Sequence, residues 1–258
     1  MHRAYIGTEA ALLVTARLIP GALTIHMGAV PDLARGPGHT APTYLVGSRD
    51  CSPLHGRRGF AFVGMIELTN SRAMEKEAVR QACLERRNRL SSAERRDGSD
   101  RICEHALRYL QDHNLLKNRQ VSAFLPIRSE VDLGGLLPKL HAAGAGISLP
   151  IVQDKTTIIF RHYSPGDALQ TAGFGTSGPS TDADIVDPSV LLMPLAGFDR
   201  QGARIGYGAG HYDRAIQRLL DKNIVPITIG LAFSAQEVPV VPIEPHDQPL
   251  AVIITEAG

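Results

Sequence analysis

The stretch Val190–Arg214 constrains this chain more than any other. It reads VLLMPLAGFDRQGARIGYGAGHYDR. Val190-Leu191-Leu192-Met193 is an apolar run with the length of one buried strand. Pro194 ends it, because proline has no N–H to give to a sheet ladder. A polar loop follows, with Asp199 and Gly202 as turn residues. After Arg204-Ile205-Gly206-Tyr207-Gly208-Ala209-Gly210 the pattern turns helical, and His211-Tyr212-Asp213-Arg214 leads into Ala215-Ile216 and Leu219-Leu220. Strand, glycine-rich loop and helix in this order cradle phosphates. Glycines let bare backbone N–H groups approach an anion, and the helix N-terminus adds partial positive charge. Arg204 puts a cation at the mouth of the loop, and Asp213 puts a carboxylate in the first helical turn. A carboxylate beside phosphates repels them unless a divalent cation lies between, so loop and aspartate together point to a magnesium nucleotide. The plain alternative is an acidic residue favoured at any helix start, and alternating glycines alone are not a diagnostic nucleotide motif.

A chain of 258 residues makes one large domain or two small ones. Hydrophobic residues at 43% and charged residues at 21% suit a globular protein of enzyme size. A net charge of +1 gives no bulk electrostatic pull toward nucleic acid or membrane. Cys51, Cys83 and Cys103 are odd in number and far apart, which indicates neither a disulfide framework nor a zinc site and suits a reducing cytoplasm. No apolar run approaches the roughly 20 residues of a membrane span.

Residues 1–70 differ from the rest. They contain no lysine, and Glu9, Asp32 and Asp50 are their only acids before Glu67. Three readings compete for this segment: an organellar targeting sequence, an ordered accessory region, or an upstream extension of uncertain order with little fold content. Met74 would suit a start just ahead of the first clear helix, so the expected fold is residues 74–258. Glu75 to Leu90 reads as a helix with an apolar stripe of Ala78, Val79, Ala82 and Cys83. Lys76 and Arg80 share one face at i, i+4, which by itself reads as a solvated basic face. Ser91-Ser92-Ala93-Glu94 is a capping-box signature for a second helix to about Asp112, burying Ile102, Ala106, Tyr109 and Leu110. The arginines at 86, 87, 89, 95, 96 and 101 alternate with acids and read as a salt-bridged surface.

Strands and helices then alternate: strand 121–125, helix 133–143, strands 147–152 and 157–161, a polar loop over 164–184, and strands 224–231 and 250–254 after the 211–222 helix. This predicts an α/β fold, a single-domain three-layer sandwich with a mostly parallel sheet and helices on both faces. Ligands in such folds bind at the carboxyl ends of strands. Glu130, the 199–213 loop and Asp247 all follow predicted strands. Each has a bland alternative: Glu130 as a surface carboxylate or cap, Asp247 as a turn residue. His141, His162 and His246 lack metal-ligand spacing.

The run from Pro194 through Gly197-Phe198-Asp199, Gly202-Ala203-Arg204 and Ile205–Arg214 resembles the signature of the 5-formyltetrahydrofolate cyclo-ligases (methenyltetrahydrofolate synthetases). The resemblance extends from Lys76 to the C-terminus. It takes in Lys76…Arg80, Ala123-Phe124-Leu125 with Ser129-Glu130, Tyr163-Pro165-Gly166-Asp167, and Leu231-Ala232-Phe233…His246-Asp247. It implies a compact α/β sandwich that closes 5-formyltetrahydrofolate to 5,10-methenyltetrahydrofolate with ATP and Mg²⁺. By resemblance, Lys76 and Arg80 are the basic pair at the ATP phosphates, with Glu77, Ala78 and Val79 between them. Arg204, Ile205, Gly206, Tyr207, Gly208, Ala209, Gly210, His211 and Tyr212 form the nucleotide loop. Asp213 and Asp247 resemble the magnesium-associated aspartates. Leu125, Glu130 and Tyr207–His211 are similar to folate-contacting positions. Arg204 and Lys76 are the implied charge-neutralising residues of catalysis. The implied partners are the two small molecules alone, with no nucleic acid or membrane, and a monomer or weak homodimer. Gly178-Pro179 stands where many members carry Glu-Pro, and His211 replaces a common aromatic. Two other readings stand beside this one: a different ATP-dependent kinase or ligase on the same scaffold, and a non-catalytic RNA-associated protein using the arginine-rich helices.

Overall fold

The computed structural model describes strands over 2–6, 12–19, 22–29 and 43–46, the backbone of residues 61–171, 176–244 and 247–258, and side chains from residue 74 onward in those last ranges. Contacts divide the chain into two compact units, Met1–Gly64 and Met65–Gly258. In the first, β1 (His2–Ile6), β2 (Leu12–Ile19), β3 (Ala22–Ala29) and β4 (Thr43–Val46) form an antiparallel sheet in sequence order.

The second unit is built on a six-stranded sheet. Its strands are β5 (Gln120–Ser122), β6 (Gly146–Val152), β7 (Ile158–Tyr163), β10 (Val190–Pro194), β13 (Ile227–Leu231) and β14 (Val252–Ile254). They lie in the order β14-β13-β10-β5-β6-β7. All neighbours are parallel except β6 and β7, which form an antiparallel edge pair. Along β10 the period-two alternation of a strand buried on both faces is explicit. Val190 and Leu192 join a core with Ile102, Ala106 and Leu110 of α2 (Ser92–Asp112) and Leu137 and Leu140 of α3 (Leu137–Ala142). Leu191 and Met193 join a second core with Ala215, Ile216 and Leu219 of α4 (His211–Asp221). Helices therefore cover both faces of a mostly parallel sheet, as the strand–helix alternation predicts.

Helix α1 runs from Ala61 to Arg89, well ahead of the expected start at Glu75. Its inward face also differs from expectation: Ala78 and Ala82 are exposed, while Cys83 and Arg87 are buried and Lys76, Val79, Arg80 and Leu84 are half-buried. The face is chosen by what it meets, a loop cluster rich in carbonyls and carboxylates, and not by apolarity. The arginine-rich stretch is accordingly no salt-bridged surface. Among the described residues 85–101 one ion pair forms, Arg89 with Glu85 at 3.8 Å. The capping box is present in full: Glu94 N–H donates to Ser91 Oγ at 3.2 Å and Ser91 N–H to Glu94 Oε2 at 2.7 Å.

Other elements shift at their ends. Helix α3 begins at Leu137 rather than residue 133, since Gly134-Gly135 favour turns and Pro138 stands in the first turn. Tyr109 is half-buried rather than buried, stacked on His113 with ring centroids 4.1 Å apart. The 164–184 loop carries a small antiparallel pair, β8 (Gln170–Thr171) with β9 (Ser177–Gly178). His246 and Cys51 lie outside the described residues.

Candidate active site

A cavity of about 1130 Å³ opens at the carboxyl ends of the parallel strands. Met193 and Pro194 at the end of β10, Leu149, Pro150 and Val152 at the end of β6, and Phe124 and Leu125 beyond β5 line it. This is where ligands bind in open α/β sheets. The hairpin of β11 (Gly197–Phe198) with β12 (Arg204–Ile205) delivers the glycine loop to its rim. Gly208 at φ +93° and Gly210 at φ +62° turn that loop through backbone conformations that L side chains rarely adopt. Gly210 is the N-cap of α4 and offers no side-chain cap, so the first N–H groups of that helix are left for another partner.

Of the residues singled out in the sequence, Lys76, Arg80, Leu125, Glu130, Arg204, Gly206–Asp213 and Asp247 all line this one cavity. Glu77, Ala78, Val79 and Ile205 do not. Glu77 and Ala78 are exposed, and Glu77 is bound to Gln81 at 2.7 Å. Ile205 is wholly buried in a small cluster with Ala196 and Val241, against which Val79 packs.

The charges are paired around the rim. Lys76 Nζ donates to Asp247 Oδ2 at 2.6 Å and to Glu244 Oε2 at 3.2 Å. Arg204, 9% exposed, donates to Asp213 Oδ1 at 2.5 Å and to the Gln248 carbonyl. Burial lowers the affinity of Arg204 for its proton, and the carboxylates of Asp213 and Asp247 oppose that shift. Arg80 Nε donates to the Gly206 carbonyl at 2.7 Å and so holds the loop against α1. Arg128 and Lys155 also border the cavity.

Glu130 is a buried carboxylate, not a surface one, at 6% exposure. Its Oε2 accepts the Ile127 N–H at 2.9 Å. Burial raises its pKa, while a hydrogen bond from Tyr207, the Ile127 N–H and the charge of Arg87 pull it back. The Tyr207 ring faces the cavity, but its hydroxyl is turned inward, and burial with the nearby Glu130 pushes the phenol up to about 12. Burial likewise raises the Tyr212 phenol. His211 Nε2 lies 3.1 Å from the Lys155 carbonyl, and Arg214 Nε donates to the Thr156 carbonyl at 2.6 Å, so the β6–β7 turn flanks the start of α4. Gly178 is buried in β9. A Cβ there would stand 2.0 Å from Ile151 Cδ1, so any side chain at this position requires Ile151 to move.

Among the described residues no group of three or more His, Cys, Asp or Glu side chains converges for a metal. Asp213 and Asp247 each commit one oxygen to the protein, Oδ1 of Asp213 to Arg204 and the Gln248 N–H and Oδ2 of Asp247 to Lys76 and the Glu244 N–H.

The sequence model of the 5-formyltetrahydrofolate cyclo-ligase family matches residues 72–256. The chain belongs to that family. Among its relatives, the 5-formyltetrahydrofolate cyclo-ligase of Haemophilus influenzae is 27% identical over 70% of this chain and 97% of the relative. That of Mycolicibacterium smegmatis is 30% identical over 70% of this chain and 93% of the relative. The solved 5,10-methenyltetrahydrofolate synthetase of Aquifex aeolicus superposes with a TM-score of 0.60 at 29% identity, covering 71% of this chain and 90% of that one. A second synthetase structure, from Mycoplasma pneumoniae, shares the fold with a TM-score of 0.57 at 24% identity over 70% of this chain and 98% of that one. The family match starts beyond β1–β4.

Two residues of this cyclo-ligase family member escaped the sequence reading. Glu244 sits beside Asp247 on Lys76 but is hidden in a proline-rich loop. Arg87 is buried behind the site. Its signal was the spacing 76, 80, 87, which puts three cations on one face of α1.

Proposed function

We propose that this cyclo-ligase closes 5-formyltetrahydrofolate to 5,10-methenyltetrahydrofolate, consuming ATP with Mg²⁺ and releasing ADP and phosphate. One observation carries the reading. A single cavity is lined by the glycine loop with Arg204, Lys76 and Arg80, and also by the buried Glu130 and the apolar Leu125. These two sets of residues suit two different ligands. The cationic loop suits a triphosphate. A buried carboxylate beside apolar walls suits a flat heterocycle with adjacent amino and ring N–H donors, which Glu130 would accept in bidentate fashion. The Tyr207–His211 segment would lie where the two ligands face each other.

The formyl oxygen is a poor leaving group until it is phosphorylated. It attacks the γ-phosphorus, ADP departs, and an imidate phosphate forms. The second folate nitrogen then attacks the activated carbon and loses its proton, and phosphate leaves with the former formyl oxygen. No covalent attachment to the protein is required. Lys76, Arg80 and Arg204 neutralise the phosphates and hold them in line. The remaining oxygens of Asp213 and Asp247 are hard donors of the kind Mg²⁺ prefers, and this ion commonly takes only one or two carboxylates beside water and phosphate oxygens. When bound there it would screen the phosphate charge from the two aspartates. A cytoplasmic site of action forms part of the proposal, on the charge balance and cysteine usage.

The test is the absorbance of the methenyl product with ATP and Mg²⁺, with ADP release followed in parallel. Product formation that needs both is expected. ADP release only with some other acceptor would replace this reading with the kinase or ligase alternative.

A further inference from the structure

Arg87 takes no part in the cavity wall, yet at 2% exposure it heads the fully buried side chains by size. A guanidinium cannot shed its charge, so its partners must account for it. Nε donates to Ser129 Oγ at 3.0 Å, Nη1 to the Leu195 carbonyl at 3.4 Å, and Nη2 to Tyr207 Oη at 2.8 Å. Ser129 in turn donates to Asn88 Oδ1 at 2.5 Å, so two consecutive residues of α1 grip the turn that carries Glu130. Because Arg87 is the donor to the Tyr207 hydroxyl, the phenol keeps its own proton, and the neighbouring Glu130 carboxylate is held more readily in its charged form by it. The guanidinium also sits 5.7 Å from the Tyr207 ring centroid, which fixes the ring plane as well as the hydroxyl.

We propose that Arg87 is a positioning residue that acts through Tyr207 to aim the Glu130 carboxylate into the cavity, so that α1 sets folate recognition as well as nucleotide binding. This rests on the folate reading above. The groups around Glu130 are Arg87 from α1, Tyr207 from the glycine loop, Tyr212 from α4, and Arg128 in its own turn. Of these, Tyr207 favours its charged form more than Arg87 does, while Arg87 grips the adjacent Ser129. A residue that merely stapled α1 to the sheet would affect both substrates alike. A residue that aims Glu130 would affect one.

The experiment is steady-state kinetics on the full chain for Tyr207→Phe, Arg87→Met and Arg87→Lys, varying each substrate in turn. Tyr207→Phe leaves the loop backbone intact. It is expected to raise the KM for 5-formyltetrahydrofolate roughly tenfold, the effect of losing one hydrogen bond to a charged group, with the KM for ATP unchanged. The acid limb of kcat/KM for the folate should move to higher pH, because Glu130 loses a donor that favours its charged form. Arg87→Met should act in the same direction, and Arg87→Lys should recover part of the loss. Equal rises in both KM values, or an acid limb that stays in place, overturn the inference. Should Arg87→Met fail to fold, Tyr207→Phe decides. A wild-type chain without turnover would instead remove the folate reading. The ¹³C-carboxyl titration of Glu130 in wild type and Tyr207→Phe then tests the contact directly, and identical titrations would sink it.

Discussion

Replacing Gly206 with alanine separates the two uses of a glycine in a phosphate loop. A Cβ built on Gly206 meets nothing within 4 Å, and its backbone is not in the left-handed region. The protein itself therefore tolerates the methyl group. The substitution should even stabilise the fold by about 0.4–1 kcal/mol, by restricting the unfolded chain, which raises Tm by about 1–4 °C. Gly206 also lines the cavity. If a triphosphate lies against its backbone, the methyl group occupies that space and overpacking of about 1–3 kcal/mol follows, or about 5- to 150-fold in the KM for ATP. Gly208→Ala is the contrast. There φ is +93°, while the nearest atom, Arg80 Cζ, would be at an ordinary 3.4 Å, so the penalty lies in the backbone. Strain of about 1–3 kcal/mol is expected, with Tm and activity falling together. The two readouts are a thermal melt and initial rates at varied ATP. A Gly206→Ala enzyme with an unaltered KM for ATP would refute the reasoning, because nothing would then approach the loop backbone.

Two further outcomes follow from the same structure. Arg204→Ala should lower kcat by about two to three orders of magnitude, measured by methenyl absorbance; an unchanged rate removes Arg204 from the site. Deleting residues 1–70 should leave turnover intact, since the family match begins at residue 72; an insoluble or inactive product would show that the segment belongs to the catalytic fold.

Much of the sheet was legible because its strands are apolar on both faces and its helices carry local signals. The Val190–Pro194 strand, the Ser91 capping box and the Gly210-His211 helix start each depend on residues within a few positions of one another. What stayed hidden depends on distant partners. A cation every turn or two along α1 looks the same whether it meets water or a cluster of carbonyls. Only the fold shows that Arg87 meets Ser129 and Tyr207, 42 and 120 residues away. Glu130 likewise reads as a surface carboxylate or cap from its neighbours in sequence, and its burial depends on distant groups such as Arg87 and Tyr207. The expected strand over 121–125 is shorter in the structure: β5 ends at Ser122, where the regular pairing with β6 stops, and beyond it the Ala123 N–H still reaches the Ser148 carbonyl at 2.9 Å.

The contacts of α1 also set a timetable for biosynthesis. Lys76 reaches Asp247 across 171 positions, and Arg80 reaches Gly206 across 126. A growing chain therefore exposes this basic helix long before the carboxylates and carbonyls that receive it exist. During that interval its lysine and arginines face solvent or whatever anion is at hand. Closing such wide loops is slow compared with helix formation, so the cleft is completed late, together with β14, the sheet strand that follows Asp247 in the chain. A nascent chain halted before residue 244 could bury most of the core and still lack a working cleft.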